Sequence, residues 1–147
     1  MAEALFRARV KKEGVKGIKA DSCGLQASAG QPVSPLALKA LAAFGVKNFR
    51  HKSKLLTRAL FDKADLLICM TAGHKRLITA TGGAEVVTLA QITGGGDVDD
   101  PWGGSEESYL KTARYLEYAC ADILKYITER MKAKQAAKAS AAKKSKN

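Results

Sequence analysis

The chain has 147 residues, about the length of one domain, and 46% of them are hydrophobic, which excludes an intrinsically disordered chain. It contains no apolar run of ~18 residues, and its first residues lack the basic, apolar and small-residue pattern of an export signal. The net charge is +11, but residues 130–147 carry seven of the positive charges and no acid. We therefore expect a cytoplasmic protein without a membrane span, consisting of a modestly basic domain and a cationic tail.

The first predicted elements are a helix and a short strand. Residues 1–13 read as an amphipathic helix whose apolar side carries Ala4, Leu5 and Ala8. The apolar and polar residues of Ile18–Ser22 then alternate as in a short strand. The chain therefore begins directly with a helix, and its first predicted strand comes second.

Two further helices are predicted from their start signals. Ser34 followed by Pro35 is an N-cap with proline at the first helical position, and Gly45 ends this helix. Thr57 is in the right place to cap a short helix that continues to about Lys63. The polar and basic stretch between these helices is predicted to be a connection.

Two buried strands and another helix follow. Asp65–Met70 is a continuous apolar run, as in a strand that is covered on both faces of a parallel sheet. Thr71 starts a helix to about Ala80, before a pair of glycines, and Glu85–Leu89 is the next strand. Strands that alternate with helices in this way predict the α/β class with a parallel sheet.

The last predicted elements are a loop, a long helix and a tail. A glycine-rich acidic loop spans Thr93–Gly104, and Ser105 caps a final helix that continues to about Met131. Residues 1–131 are thus predicted to form one domain. The Lys- and Ala-rich residues 132–147 are predicted to form a disordered tail that can bind polyanions weakly and in a salt-sensitive way.

The cysteines and histidines do not indicate a metal site. Cys69 and Cys120 lie in apolar surroundings typical of buried reduced thiols, and no pair of cysteines is closely spaced. Neither His51 nor His74 has zinc-ligand spacing to a cysteine. We expect neither a metal nor another cofactor.

Four groups of residues occur together in an order that is typical of one family. They are Met1–Arg7; Asp21–Leu25 with His51–Thr57; Leu66–Thr71; and Gly96–Ser105 with Tyr109 after it. Over about residues 1–130 the sequence thereby resembles the low-molecular-weight protein tyrosine phosphatases of the bacterial type. The Asp-Pro-Trp-Gly-Gly-Ser pattern in the last group is most similar to members that act on phosphoarginine.

The resemblance implies roles for four residues. Asp100 matches the general acid, and Trp102 matches an aromatic wall of the substrate cleft. Ser22 and His51 match residues that support the phosphate-binding loop by hydrogen bonds. From the sequence alone, an ordinary Asp-Pro turn, a half-buried tryptophan, a turn serine and a solvated histidine remain alternatives.

The resemblance also implies a fold and a reaction that this sequence matches only in part. The family has a three-layer α/β/α sandwich with a four-stranded parallel sheet, and it hydrolyses phosphorylated protein side chains through a phosphocysteine. The nucleophile is a cysteine with an arginine six residues later, but those positions after the three cysteines here hold Ala29, Lys75 and Tyr126. The sequence is therefore interpreted as truncated at its N-terminus, lacking the first, central strand and the phosphate-binding loop, and inactive as written.

Two functions remain open at this point. The first is a protein tyrosine or arginine phosphatase that would take a phosphorylated protein if a longer form is active. The loop 26–30 lacks the aromatic side chain that family members often place there, which weakens the case for phosphotyrosine. The alternative is a non-catalytic, phosphatase-like binding protein with a polycationic tail.

Overall fold

The computed structural model describes residues 1–78 and 84–144. In chain order the elements are α1 (Ala2–Lys12), α2 (Pro35–Ala43), α3 (Arg58–Lys63), β1 (Leu66–Cys69), α4 (Ala72–Leu77), β2 (Glu85–Thr88), α5 (Leu89–Thr93) and α6 (Glu106–Lys144). Within these residues no helix combines the length and the apolarity needed to cross a membrane.

The predicted helix starts are confirmed by their caps. The hydroxyls of Ser34, Thr57, Thr71 and Ser105 each accept a hydrogen bond from the backbone N–H three residues later, at 3.0 to 3.2 Å. Each bond satisfies a donor that the first helical turn leaves unpaired. α4 ends at Leu77, whereas its predicted end at Ala80 lies outside the described residues.

The described sheet has two parallel strands, and the α/β class predicted from the sequence is confirmed. The register pairs Leu66 with Glu85 at one end and Cys69 with Thr88 at the other. Helix α4 contacts both strands, as expected for the helix that connects two parallel neighbours. The sequence predicted both strands within one or two residues of their observed ends.

The prediction of a strand at Ile18–Ser22, the first strand expected in chain order, is wrong. A strand needs ladder hydrogen bonds to a neighbour, and this segment is bonded to the side chains of α1 instead. The Arg7 guanidinium donates to the carbonyl of Ala20 from Nε at 2.9 Å and from Nη2 at 2.6 Å. The segment is therefore held against a helix, and its backbone is not part of the described sheet.

The core lies where α1, α2 and α6 meet. Leu5 from α1, Leu41 from α2 and Cys120 from α6 are at most 4% exposed, and Ile68 of β1 packs against this cluster. The prediction for α1 was partly wrong, because Ala8 is exposed. Ala4 and Leu5 are buried as predicted, together with Phe6 and the charged residue Glu3.

Two features of the C-terminal half differ from the prediction. A short helix, α5, begins directly after β2, where Thr88 and Gln91 form a reciprocal capping box. Helix α6 does not end near Met131 but continues to Lys144, so residues 132–144 are helical where a disordered tail was expected. The physical reason is composition, since Ala, Lys and Gln rank among the strong helix formers.

Candidate functional site

The centre of the candidate site is a buried carboxylate in the first turn of α1. The Glu3 side chain is only 4% exposed, and both of its oxygens have partners. Oε1 lies 2.8 Å from Arg7 Nη2, and Oε2 accepts a hydrogen bond of 2.5 Å from the Ser22 hydroxyl. His51 Nδ1 lies 3.3 Å from the same Oε2, within ion-pair distance when the imidazole is protonated. One buried carboxylate thus joins three parts of the chain.

Ser22 and His51, two of the four residues singled out in the sequence, meet at this carboxylate. The His51 ring also stacks on Phe49, with ring centroids 6.0 Å apart and an interplanar angle of 7°. The alternative of a solvated loop histidine is therefore wrong, and so is that of a serine that serves only a turn. Glu3 itself was missed, although an acid with an arginine four residues later, set among Ala and Leu, was a usable signal.

Within residues 1–78 and 84–144, this is the one place where three possible metal-ligating side chains lie together. Ligand atoms of Glu3, Asp21 and His51 all lie within 4.8 Å of one another. Both carboxylates already have cationic partners, because Arg7 contacts Glu3 and Lys54 Nζ lies 2.5 Å from Asp21. Lys54 accordingly holds the pKa of Asp21 below its usual value. We interpret the grouping as an ion-paired network whose two carboxylates are neutralised by the side chains of Arg7 and Lys54.

The acidic loop before α6 is held at the carboxyl end of β1. Val98 N–H donates to the Met70 carbonyl at 3.0 Å, and Ala72 N–H donates to Asp97 Oδ1 at 2.9 Å. The backbone around Asp100 is thereby fixed near the end of a parallel strand, the edge where open α/β sheets bind their ligands.

Asp100 and Trp102 form the second pair of predicted site residues. Asp100 is exposed, and its Oδ1 accepts a hydrogen bond of 3.0 Å from the Trp102 backbone N–H. The Trp102 side chain is 79% exposed, so the alternative of a half-buried packing residue is wrong. The pair presents a carboxylate and a large aromatic ring to solvent on one tight turn.

None of the three thiols has the surroundings of a nucleophile. Cys69 and Cys120 are buried as predicted, and burial raises the pKa of the Cys120 thiol to about 12. Cys23 is exposed, but burial of its sulfur and the nearby Asp21 carboxylate raise its pKa as well. A catalytic cysteine needs the opposite shift, because the thiolate is the reactive form.

Comparison with known proteins identifies the family to which this chain belongs. The family model described as "Low molecular weight phosphotyrosine protein phosphatase" matches residues 1–136. The chain belongs to this family. A protein-arginine-phosphatase of Bacillus subtilis is 36% identical over 137 residues, covering 90% of this chain and 87% of that protein. A low molecular weight protein-tyrosine-phosphatase of Streptomyces coelicolor is 29% identical over 148 residues, covering 92% and 90%.

Solved structures of low molecular weight phosphatases have the same fold as this chain. The YwlE arginine phosphatase, solved as a mutant with a phosphorylated active-site serine, superposes with a TM-score of 0.79. It is 36% identical, and the match covers 86% of each chain. The family predicted from the sequence motifs is therefore confirmed, including the α/β fold.

Proposed function

We propose that this chain provides the acid and support residues of a phosphatase site that hydrolyses phosphorylated protein side chains through a phosphocysteine. The observation that carries the proposal is the convergence of Ser22 and His51 on the buried Glu3 at the start of α1. A helix N-terminus offers backbone N–H groups and a positive dipole end to a phosphate. A network that fixes the first turn of α1 therefore fixes the place where such a phosphate would bind.

Asp100 is proposed as the general acid. A general acid must reach the leaving oxygen directly, and the carboxylate of Asp100 is exposed on a loop held at the end of β1. It would protonate the oxygen or nitrogen that leaves phosphorus and afterwards take a proton from the attacking water. The exposed Trp102 ring beside it would cover one side of the phosphorylated side chain.

The nucleophile is not among the 147 residues under this proposal. No cysteine here has an arginine six residues later, and all three thiols have a raised pKa. We therefore expect the 147-residue chain alone to leave p-nitrophenyl phosphate unhydrolysed. Turnover by this chain that persists in the presence of a chelator would overturn that part of the proposal, and its loss in Cys23→Ser would identify Cys23 as the nucleophile.

The substrate that we propose is phosphoarginine in proteins. A relative named protein-arginine-phosphatase, from Bacillus subtilis, is 36% identical to this chain over 137 residues. In addition, the loop 26–30 provides no aromatic side chain to pack against a phosphotyrosine ring. A comparison of kcat/KM for a phosphoarginine and a phosphotyrosine peptide of equal sequence tests this choice.

The experiment uses the chain extended ahead of Met1 by a strand and a Cys-five-residues-Arg-Ser-Pro loop of the family. We expect the extended chain to gain phosphatase activity that is lost when the added cysteine is replaced by serine. Asp100→Asn in this background should lower kcat by about 10²–10⁴, the usual contribution of a positioned acid. The loss should be larger for phenyl phosphate than for p-nitrophenyl phosphate, because the phenol is the more basic leaving group.

Asp99→Asn provides a matched control, since it removes the same charge from the adjacent residue of the same loop. It should leave kcat within about tenfold of the parent, because only a group in hydrogen-bond reach of the leaving oxygen contributes a full acid effect. Equal losses in the Asp99 and Asp100 variants would mean that the loop acts through its charge, with no residue serving as the acid.

A second candidate function is supported by the cationic end of α6. Lys132, Lys134 and Lys138 are exposed on a helix that continues to Lys144. Such a segment would bind polyanions weakly and in a salt-dependent way, whether or not the domain is catalytic. Deleting residues 132–147 should weaken the binding of heparin at low salt, and unchanged binding would exclude this candidate.

A further inference from the structure

A groove beside the Glu3 network lies between the exposed face of α1 and the loop that follows α2. It has a volume of about 310 Å³, at the lower end of the range of ~300–1,000 Å³ typical of ligand pockets. Its α1 side includes Ala8, whose small side chain leaves the space open, and its loop side includes Val46 and Phe49. We call this the α1 groove.

The α1 groove is positively charged and lacks a compensating acid. Its lining contains Arg7, Lys11, Lys47 and Arg50 but no aspartate or glutamate. Arg7 is neutralised by the buried Glu3, whereas the other three cations have no ion-pair partner within residues 1–78 and 84–144. Three uncompensated charges around one small groove produce a local positive potential that attracts anions.

The cationic surface continues beyond the groove. A second concavity, of about 380 Å³, shares Arg7 and Lys11 with the first and adds Lys19 together with the apolar Ile18. The two concavities therefore flank a common pair of cations on α1. An extended ligand could follow this surface with its charges near the lysines and its apolar groups in the concavities.

The chemistry of the lining favours an acidic peptide over a nucleic acid. Single-stranded nucleic acids depend on aromatic rings on which their bases stack. Phe49 is the aromatic residue of the α1 groove, and it is already stacked on His51 with an interplanar angle of 7°. A peptide in which carboxylate side chains alternate with an aliphatic one can pair its charges with the surrounding cations and pack its aliphatic group on the small apolar surface.

From these observations we infer that the α1 groove is a docking site for an extended acidic segment of a partner protein, adjacent to the Glu3 network and sharing Arg7 with it. The carboxylates would pair with Lys11, Lys47 and Arg50, and an aliphatic side chain would fill the space beside Ala8. The inference does not depend on the proposed catalysis, because the docking segment carries no phosphate.

The test is fluorescence anisotropy of a fluorescein-labelled oligoglutamate peptide with one central leucine, added to the whole 147-residue chain at low salt. The double variant Lys47→Glu, Arg50→Glu should weaken binding by at least about tenfold, which is ~1.4 kcal/mol. Ala8→Trp changes no charge but fills the groove, and it should weaken binding to a similar extent. Thermal unfolding followed by circular dichroism checks that each variant is folded.

The matched control is Lys111→Glu, Lys125→Glu on α6, which changes the net charge by the same amount on another surface and lies outside the cationic end of that helix. It should leave the affinity for the peptide within about twofold. Equal weakening in the groove and control variants would overturn the inference, because binding would then follow net charge. The inference would also fail if Ala8→Trp bound normally, or if a fluorescein-labelled oligothymidylate bound the groove more tightly than the peptide.

Discussion

His51 Nδ1 lies 3.3 Å from Glu3 Oε2, so a loop histidine and the first turn of α1 meet at a carboxylate that is buried from solvent. The Ser22 hydroxyl donates to the same oxygen, and Arg7 contacts the other one. A buried carboxylate is tolerated only when it is paired and hydrogen-bonded. This network therefore holds α1, the segment before Cys23 and the loop after α2 together.

The first prediction concerns the charge of Glu3. Glu3→Gln keeps the size of the side chain but turns one acceptor oxygen into an NH₂ donor that faces another donor. We expect the free energy of unfolding to fall by about 1–3 kcal/mol, the cost of leaving buried polar partners unsatisfied. Urea denaturation of the 147-residue chain measures this change.

Glu13→Gln is the control for Glu3→Gln on the same helix. Glu13 pairs with Arg9 in an i, i+4 arrangement, but its side chain is 48% exposed. Exposed pairs of this kind contribute only about 0–1 kcal/mol, so the Glu13 variant should stay close to the parent. If both variants lose the same stability, the buried network contributes nothing beyond ordinary helix electrostatics.

The second prediction concerns the ion pair of Asp21 and Lys54. Lys54 lowers the folded-state pKa of Asp21 below its unfolded value of about 3.9. A carboxylate with a lowered folded pKa stabilises the fold above its unfolded pKa, and this stabilisation is lost as the pH falls through the folded pKa. The free energy of unfolding should therefore decrease less steeply below about pH 4 in Asp21→Asn than in the parent.

The size of the Asp21 effect is limited by solvent, because its side chain is 54% exposed and that of Lys54 is 40% exposed. We expect less than about 1 kcal/mol in total. Lys54→Met removes the partner and keeps the carboxylate. It should likewise make the free energy of unfolding decrease less steeply below about pH 4. Parent-like slopes in both variants would show that the pair does not contribute to acid stability.

Local signals made most of the helices and both paired strands predictable. Ser34, Thr57, Thr71 and Ser105 are each followed by a helical pattern, and a cap forms within one turn of the residue that signals it. The apolar run of Asp65–Met70 correctly predicted β1, but the expected cover on both faces is wrong, because only Cys69 of this strand is buried and its other three residues are half-buried. Such features depend on residues that are close in the sequence, and they can therefore be recognised without knowledge of the tertiary contacts.

The parts that could not be predicted depend on contacts between distant residues. Ile18–Ser22 has the alternation of a strand, but pairing depends on which backbone lies beside it, and here Arg7 bonds the Ala20 carbonyl. Glu3 with Arg7 four residues later is a pattern that exposed helical ion pairs share, and the burial of Glu3 follows from its contacts with the distant residues Ser22 and His51. Asp100 and Trp102 were found by motif, while their exposure is a property of the loop geometry.

The third prediction concerns the thiols. Cys23 is exposed, whereas Cys69 and Cys120 are buried, and burial raises the pKa of Cys120 to about 12. In the folded protein at about pH 8, iodoacetamide should therefore modify Cys23 first, and the other two only after urea is added. Mass spectrometry of peptides after timed labelling measures each site. Equally fast labelling of Cys69 and Cys23 would contradict the buried position of Cys69 at the end of β1.

The rate at Cys23 should itself be slow at neutral pH, because its own pKa is raised by burial of the sulfur and by Asp21. Asp21→Asn removes the neighbouring negative charge and should speed the labelling of Cys23. The same variant should leave the protection of Cys120 unchanged, since that thiol lies in the core formed by α1, α2 and α6.

The fourth prediction concerns the C-terminal extension of α6. Among its described contacts with the domain, Lys134 Nζ lies 3.8 Å from Asp65 Oδ1, and these side chains are 64% and 94% exposed. An ion pair this exposed contributes little, so deleting residues 132–147 should change the free energy of unfolding by less than about 0.5 kcal/mol. Arg130, which pairs with Glu85 of β2 and lies 5.0 Å from the Tyr126 ring centroid, is retained by this deletion.

Circular dichroism of the same deletion separates a helical extension from a disordered one. If residues 132–144 are helical, as in the structure, the helical signal per molecule at 222 nm falls when they are removed. A disordered tail would leave that signal unchanged.

Arg130→Met is the matched comparison inside the domain: it keeps the extension but removes the pair with Glu85. This variant should lower stability by up to about 1 kcal/mol while the helical signal is kept. Stability would thus depend on the last residues that contact β2, and helix content on the residues beyond them.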